Sequence, residues 1–166
     1  MADLGSTVTP PSSAASSVLR VPSGQDRFGE FRDLGISTVD FKVSSQDSSS
    51  IFVIEIRLHT KGGPGRHLHY DQDEWFYVVQ GEFLFEVGGE RLTLKPGDSL
   101  YGPRKVPHVW AFVGEGIGRI LFTFTPPAQA EAFFREITKA NGLPPTDPEV
   151  FRRYGMELLG PPLKIE

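Results

Sequence analysis

Between residue 34 and about residue 125, apolar side chains come in short runs and alternations, cut by Gly, Pro, Ser and Asp. The stretches "ISTVDFKV" and "IFVIEIRLH" are β-branched and aromatic, and the break "SSQDSSS" separates them, so both read as strands. The clearest unit is "EFLFEVGGERLTL". Gly88-Gly89 suits a two-residue primed turn, which requires positive φ. That turn pairs Phe83 with Leu94, Phe85 with Leu92 and Glu86 with Arg91. One face then carries Phe83, Phe85, Leu92 and Leu94, and the other carries opposite charges, so the register is specified twice over. "KPGD" follows, with Pro96-Gly97 placed for a type II turn. Further strands are predicted near 98–102, 107–113 and 118–125. "DEWFYVV" is apolar at every position after Glu74, so periodicity leaves open whether Asp73 or Glu74 faces inward.

Helical spacing appears only after Pro126-Pro127. "AQAEAFFREITKANG" places apolar residues on one helical face and ends at Asn141-Gly142, a common stop. Asp147-Pro148 predicts an N-cap and first position for a second short helix through about Tyr154. Many short strands followed by a little helix indicate an all-β protein: an antiparallel sandwich or barrel with a short C-terminal helical tail. Residues 1–25, rich in Ser, Thr, Pro and Ala, cannot bury enough surface to offset their ordering entropy and are expected to form a flexible tail. The division expected is thus a tail at 1–25, a barrel at 26–126 and a helical extension at 127–166.

Composition narrows the classes. The chain has 166 residues, 39% of them hydrophobic, with 18 glycines, which is ordinary for one globular domain. A net charge of −4 gives no footprint for nucleic acid or an anionic membrane. There is no cysteine, which excludes disulfides and thiolate metal sites and suits a reducing cytoplasm. The longest apolar runs, such as Trp75 to Val79, fall far short of the roughly 18 residues a membrane helix needs. No basic segment leads into an apolar core at the N-terminus, so no signal peptide is read.

Of only four histidines, two stand one residue apart in "GRHLHYDQDEWFYVVQG". In a strand, residues i and i+2 face the same way, roughly 7 Å apart. His67 and His69 can therefore reach one point, and a metal about 2.1 Å from each nitrogen fits that geometry. The polar tetrapeptide Tyr70 to Asp73 is short enough for a hairpin loop, and a returning strand brings Glu74 beside the pair. Pro107-His108 opens another apolar strand and offers a third imidazole.

At these residues the sequence resembles the cupin family. The family's first motif, Gly-x5-His-x-His-x3–4-Glu-x6-Gly, is met by His67, His69, Glu74 and Gly81. Its leading glycine is displaced by one, with Lys61 at the expected position and Gly62 next. The second motif, Gly-x5-Pro-x-Gly-x2-His-x3-Asn, is met by Gly97, Pro103 and His108. Lys105 replaces the glycine of its Pro-x-Gly and Phe112 its asparagine. The resemblance implies a double-stranded β-helix, the jelly-roll barrel of cupins. It selects Glu74 over Asp73 and implies one divalent metal per chain on His67, His69, Glu74 and His108. Three imidazoles and a carboxylate suit Fe, Mn, Ni, Co or Zn without choosing among them.

Alternation puts Trp110 and Phe112 on the face of His108, and Phe76 and Val78 on that of Glu74. Phe83 and Phe85 are candidates for the same interior. Most of these fill a core; those that border the metal make an apolar, aromatic pocket for a small molecule. Arg66, Tyr101 and Arg104 are candidates for polar contacts at its mouth. The likeness is to small single-barrel, quercetin-dioxygenase-like cupins, which commonly pair as homodimers. It implies oxidative cleavage of an oxygenated aromatic or enol, with Glu74 as the catalytic base. The alternatives are a non-catalytic ligand-binding or sensing module and a metal-dependent isomerase or lyase.

Overall fold

The computed structural model describes residues 18–144 and 146–165. The expectation of a flexible tail falls mostly on residues outside that range. Within it, residues 18–25 carry no regular secondary structure, and Val18 is fully exposed.

Nine strands follow in close agreement with the alternation. They are β1 (Ser37–Val43), β2 (Phe52–Leu58), β3 (Gly65–His69), β4 (Asp73–Gln80), β5 (Phe83–Val87), β6 (Glu90–Leu94), β7 (Ser99–Gly102), β8 (His108–Phe112) and β9 (Gly118–Thr125). Then come α1 (Ala130–Ile137), α2 (Pro148–Arg153) and a tenth strand, β10 (Met156–Pro162). The strands form two five-stranded antiparallel sheets, ordered β1-β2-β9-β4-β7 and β10-β3-β8-β5-β6. Their inner faces meet in a jelly-roll barrel.

The hairpin β5–β6 has the register the sequence predicts, from Phe83 opposite Leu94 to Val87 opposite Glu90. Gly88 and Gly89 take φ of 57° and 91°, as a primed turn demands. The Pro96-Gly97 turn also forms: Gly97 has φ of 96°, and Asp98 N–H donates to the Lys95 carbonyl at 2.9 Å.

Two features differ from the pattern-based expectation. Residues 70–73 do not close a hairpin, because β3 and β4 belong to opposite sheets. The loop carries the chain across the barrel, so Glu74 faces the histidines from the other wall. The C-terminal extension is also not helical throughout. After α1 and α2, "MELLGPP" joins the second sheet at its edge, with Met156 opposite His69 and Leu158 opposite His67. Its two prolines and central glycine hide a strand from pattern reading. They are tolerated here because β10 is an edge, where one row of N–H groups has no ladder to serve.

The core is dense in phenylalanine. Phe41, Phe52, Phe76, Phe83, Phe85, Phe112 and Phe124 are essentially buried, with Ile54, Leu58, Val78 and Ile120 among them. Phe112, which replaces the motif's asparagine, owes its room to missing side chains. A Cβ on Gly81 or Gly118 would stand 2.8 or 2.6 Å from its ring, closer than packed atoms come.

Helix α1 closes one end of this core. Ala130, Phe133, Phe134 and Ile137 are buried at helical spacing. The Phe134 ring lies 5.7 Å from Phe124 and 6.2 Å from Phe52. Glu131 fastens the helix to the β1–β2 loop, where its carboxylate accepts from the Ser44 hydroxyl at 2.8 Å and Ser45 N–H at 2.7 Å. Asp147 caps α2 by accepting from Glu149 N–H at 2.9 Å. Among the described residues, no helix is long and apolar enough to cross a membrane.

Candidate metal centre

The four expected ligands come together. His67 and His69 project inward from β3, His108 from the adjacent β8 and Glu74 from β4 in the facing sheet. Strand β3 meets β8 at one register pair, His67 opposite His108. One donor atom from each of the four residues lies within 4.8 Å of the others. All four side chains are buried, His67 most exposed at 8% and His108 least at 2%.

Each imidazole is held by its other nitrogen. His67 Nδ1 faces the Gly65 carbonyl at 2.7 Å, and His108 Nδ1 faces the Val106 carbonyl at 3.1 Å. A carbonyl only accepts, so Nδ1 carries the proton and a neutral ring presents an unprotonated Nε2 to the centre. His69 Nδ1 faces Gln72 Oε1 at 3.2 Å. Gln72 Nε2 donates to the Pro127 carbonyl at 3.3 Å, which fixes the amide's orientation and makes His69 Nδ1 the donor as well. All three rings therefore offer the same nitrogen to one place.

The inward atoms are otherwise without partners. His69 Nε2, Glu74 Oε2 and His108 Nε2 are buried and make no hydrogen bond. His108 Nε2 is 2.7 Å and His69 Nε2 is 3.4 Å from Glu74 Oε2. These contacts are close but poorly directed, as expected for atoms aimed at a shared point rather than at each other. Two atoms each about 2.1 Å from one ion stand about 3.0 Å apart at a right angle and about 3.4 Å apart at a tetrahedral one. The 3.4 Å separation equals the tetrahedral edge, and the 2.7 Å one falls a few tenths of an ångström short of the right-angle edge. Orphaned buried polar atoms cost free energy, and a divalent cation would satisfy all three at once.

The charge states suit ligation. Burial, reinforced by the neighbouring His108 and His69, pulls His67 down to about 3. Burial lowers His69 too, against the pull of Glu74. At His108 burial works downward but the Glu74 carboxylate outweighs it, and the net shift is upward. Burial favours protonating Glu74, yet His69 and His108 hold it ionised with a pKa of about 2. At neutral pH the site thus presents a carboxylate and at least two neutral imidazoles, the forms that bind metal.

The six expected pocket residues are all buried, but they lie in layers. Phe76 stands against the ligands, its ring 6.0 Å from His108. Phe85 sits 5.0 Å behind Phe76, and Trp110 lies 6.4 Å from Phe85. Phe83 and Phe112, 5.4 Å apart, are deeper still, and Val78 pairs with Ile120 across the sheet. Of the three polar candidates for the mouth, Arg66 is tied to Glu86 and Arg104 to Asp73, whereas Tyr101 is exposed on the outer face.

Sequence reasoning missed three neighbours of the centre. Gln72 is buried in the crossing loop, Phe124 lies 5.8 Å from the His69 ring, and Phe151 of α2 lies 6.2 Å from the His67 ring. Phe124 falls in the strand predicted near 118–125, but nothing in the pattern brings it to His69. Gln72 and Phe151 carry no periodic signal at all.

Comparison with known proteins agrees with this architecture. Residues 54–124 match the cupin domain family. An uncharacterised protein of Methanocaldococcus jannaschii is 34% identical over 65 residues, which cover 39% of this chain and 52% of that protein. The chain thus spans about half the length of that curated relative. Among solved structures, the polyketide cyclase RemF from Streptomyces resistomycificus superposes with a TM-score of 0.54 at 19% identity, covering 66% of this chain and 80% of that one. KdgF from Halomonas sp. superposes at 0.53 with 23% identity, covering 58% and 86%. An RmlC-like cupin from Shewanella frigidimarina gives 0.52 at 24% identity, covering 66% and 92%. These likenesses establish the fold. The motif residues gather at one buried centre, and residues 54–124 of the chain form a cupin domain.

Proposed function

We propose that the protein is a metal-dependent dioxygenase whose substrate is a small oxygenated aromatic or enol. The observation that carries the metal part is the convergence of three buried, partnerless donor atoms on one point. The aromatic surroundings, with Phe76, Phe124 and Phe151 rings all about 6 Å from a ligand histidine, support a flat, largely apolar substrate. When bound, a redox-active divalent metal supplies Lewis acidity toward an enol or catechol oxygen and reactivity toward dioxygen.

The chain's own residues hold that reaction in place. His67, His69 and His108 present Nε2 from rings fixed by Nδ1 donation. Glu74 adds the one negative charge. Its low pKa makes it a ligand before it is a base; as the only carboxylate at the centre among the described residues, it is also the candidate to take a hydroxyl proton from the substrate. Burial keeps bulk water away and strengthens each electrostatic contact.

The test is reconstitution with Fe(II), Mn(II), Ni(II) and Zn(II), followed by dissolved-oxygen measurements with flavonols, catechols and β-diketones. Oxygen consumption above the free-metal control, lost in Glu74→Gln while metal is retained, is the expected result. Metal binding without oxygen consumption in every form would move the reading to a non-oxidative isomerase or lyase, or to a ligand-binding cupin.

A further inference from the structure

We infer that Phe151, on the short helix after the barrel, is the residue that closes the metal pocket and selects which ligands reach it. This rests on the metal centre proposed above. The helix lies outside residues 54–124, where the cupin domain matches.

The four ligand residues are buried, and a molecule as large as a catechol cannot reach them unless part of the wall yields. Most of the wall cannot. The strands are held in two hydrogen-bonded sheets, and α1 is anchored by four buried apolar residues and the Glu131 contacts with Ser44 and Ser45. Helix α2 is different. It has six residues, none of them buried. Its apolar hold on the barrel is through partly buried side chains: Val150, Phe151, whose ring lies 6.2 Å from His67 and 5.2 Å from Phe133, and the capping Tyr154, 6.0 Å from Phe133. Few buried contacts make a segment cheap to open, so the least anchored piece of wall is the one against His67.

Phe151 also touches the ligand with the most solvent access, His67 at 8% exposed. The route from solvent to the metal therefore ends at the Phe151 ring. Shrinking that ring should widen the route, and enlarging it should narrow it. α2 leads directly into β10, whose Met156 and Leu158 are paired with His69 and His67. The roof is thus tied to the ligand-bearing strand at one end, and Phe151 can swing without loss of the ligands.

The experiment loads the full chain with Co(II) and compares wild type with Phe151→Ala, Phe151→Leu and Phe151→Trp. Two readings are taken: the rate at which EDTA strips the cobalt, and the change in cobalt visible absorption on adding azide, a small probe, or catechol, a larger one. Phe151→Ala is expected to speed stripping by about tenfold or more, because truncating a packed ring removes kcal/mol-scale contacts that hold the segment closed. It should also strengthen catechol binding relative to azide. Phe151→Trp should slow stripping and weaken catechol while azide stays within about twofold of wild type. If the alanine variant fails to fold, the leucine and tryptophan variants decide: wild-type rates and probe preference in both would overturn the proposal. Cobalt bound with those wild-type rates overturns the roof alone. Absence of cobalt from the wild-type chain overturns the metal centre and the roof together. Size-selective catechol binding without oxygen consumption supports the roof and overturns only the oxidative reading.

Discussion

The hairpin β5–β6 and the pair β3–β10 are both antiparallel, both in the same sheet, and opposite in how they are specified. The hairpin is closed by a two-residue turn, and its five register pairs follow from Gly88-Gly89 and the alternation on either side. Strand β3 holds two of the candidate metal ligands yet meets β8 at a single pair. Its main support is β10, from the far end of the chain, through a register interrupted by two bulges. The strand that carries two of the candidate ligands is therefore the one whose pairing depends on distant sequence. Local chemistry shapes the stable frame, and a long-range contact positions the site.

That contrast can be broken at several places. The largest effect is expected from His67→Ala with His69→Ala: metal content should fall to background while the circular dichroism spectrum stays β-rich. Full occupancy in this double variant would remove the basis for the site. Next comes deletion of residues 156–166. With β10 gone, β3 loses its edge partner, and metal affinity should drop by roughly 100-fold, the upper range for losing support behind metal ligands. A deletion that binds metal like wild type would show that β3 is held by the barrel alone.

Gln72→Leu tests the same support at one residue. It removes the acceptor behind His69 Nδ1 and the tie to the Pro127 carbonyl, and titration calorimetry should show about 10- to 100-fold weaker metal binding. Unchanged affinity would demote Gln72 to packing.

Acidity should separate the two regions as well. Protons compete with metal at His108 first, because its pKa is raised above the ordinary value, whereas burial holds His67 down to about 3 and lowers His69. Affinity should be insensitive to pH above the His108 pKa. Below it, affinity should fall by about tenfold per pH unit, one proton displaced per ion. A slope of two or three protons across the same range would mean that the buried histidines titrate together. The smallest effect belongs to the hairpin. Gly89→Ala forces a Cβ into φ of 91° at a cost of about 1–2 kcal/mol, measured as a shift in denaturant midpoint, with metal content unchanged. Loss of metal there would erase the distinction between frame and site.

How much was legible follows the same division. Nine strands, two helices, the Gly88-Gly89 register and the Asp147 cap are local: each is set by side-chain period and backbone freedom within a few residues. The ligand set was legible because His67, His69, Glu74 and His108 lie at motif spacing, although alternation alone could not choose between Asp73 and Glu74. The replacement of the motif glycine by Lys105 did not abolish its turn. Lys105 adopts φ of 65° and donates its N–H to the His69 carbonyl at 2.7 Å, so the fold imposes a glycine-like conformation on a residue that does not favour it.

The sequence by itself determined an all-β sandwich or barrel and the β5–β6 hairpin, because period and turn chemistry act through neighbouring residues, while the resemblance to cupins implied the jelly roll and the four ligands. Only the tertiary structure decided that residues 70–73 cross between sheets, that "MELLGPP" becomes β10 despite its prolines, and that Gln72, Phe124 and Phe151 stand around the histidines. The physical reason is that none of these has a local driving force. An edge strand is stabilised by the edge it finds, a buried amide by the acceptor and donor placed around it, and an aromatic roof by the cavity below it, and each of those is assembled from segments far apart in the chain.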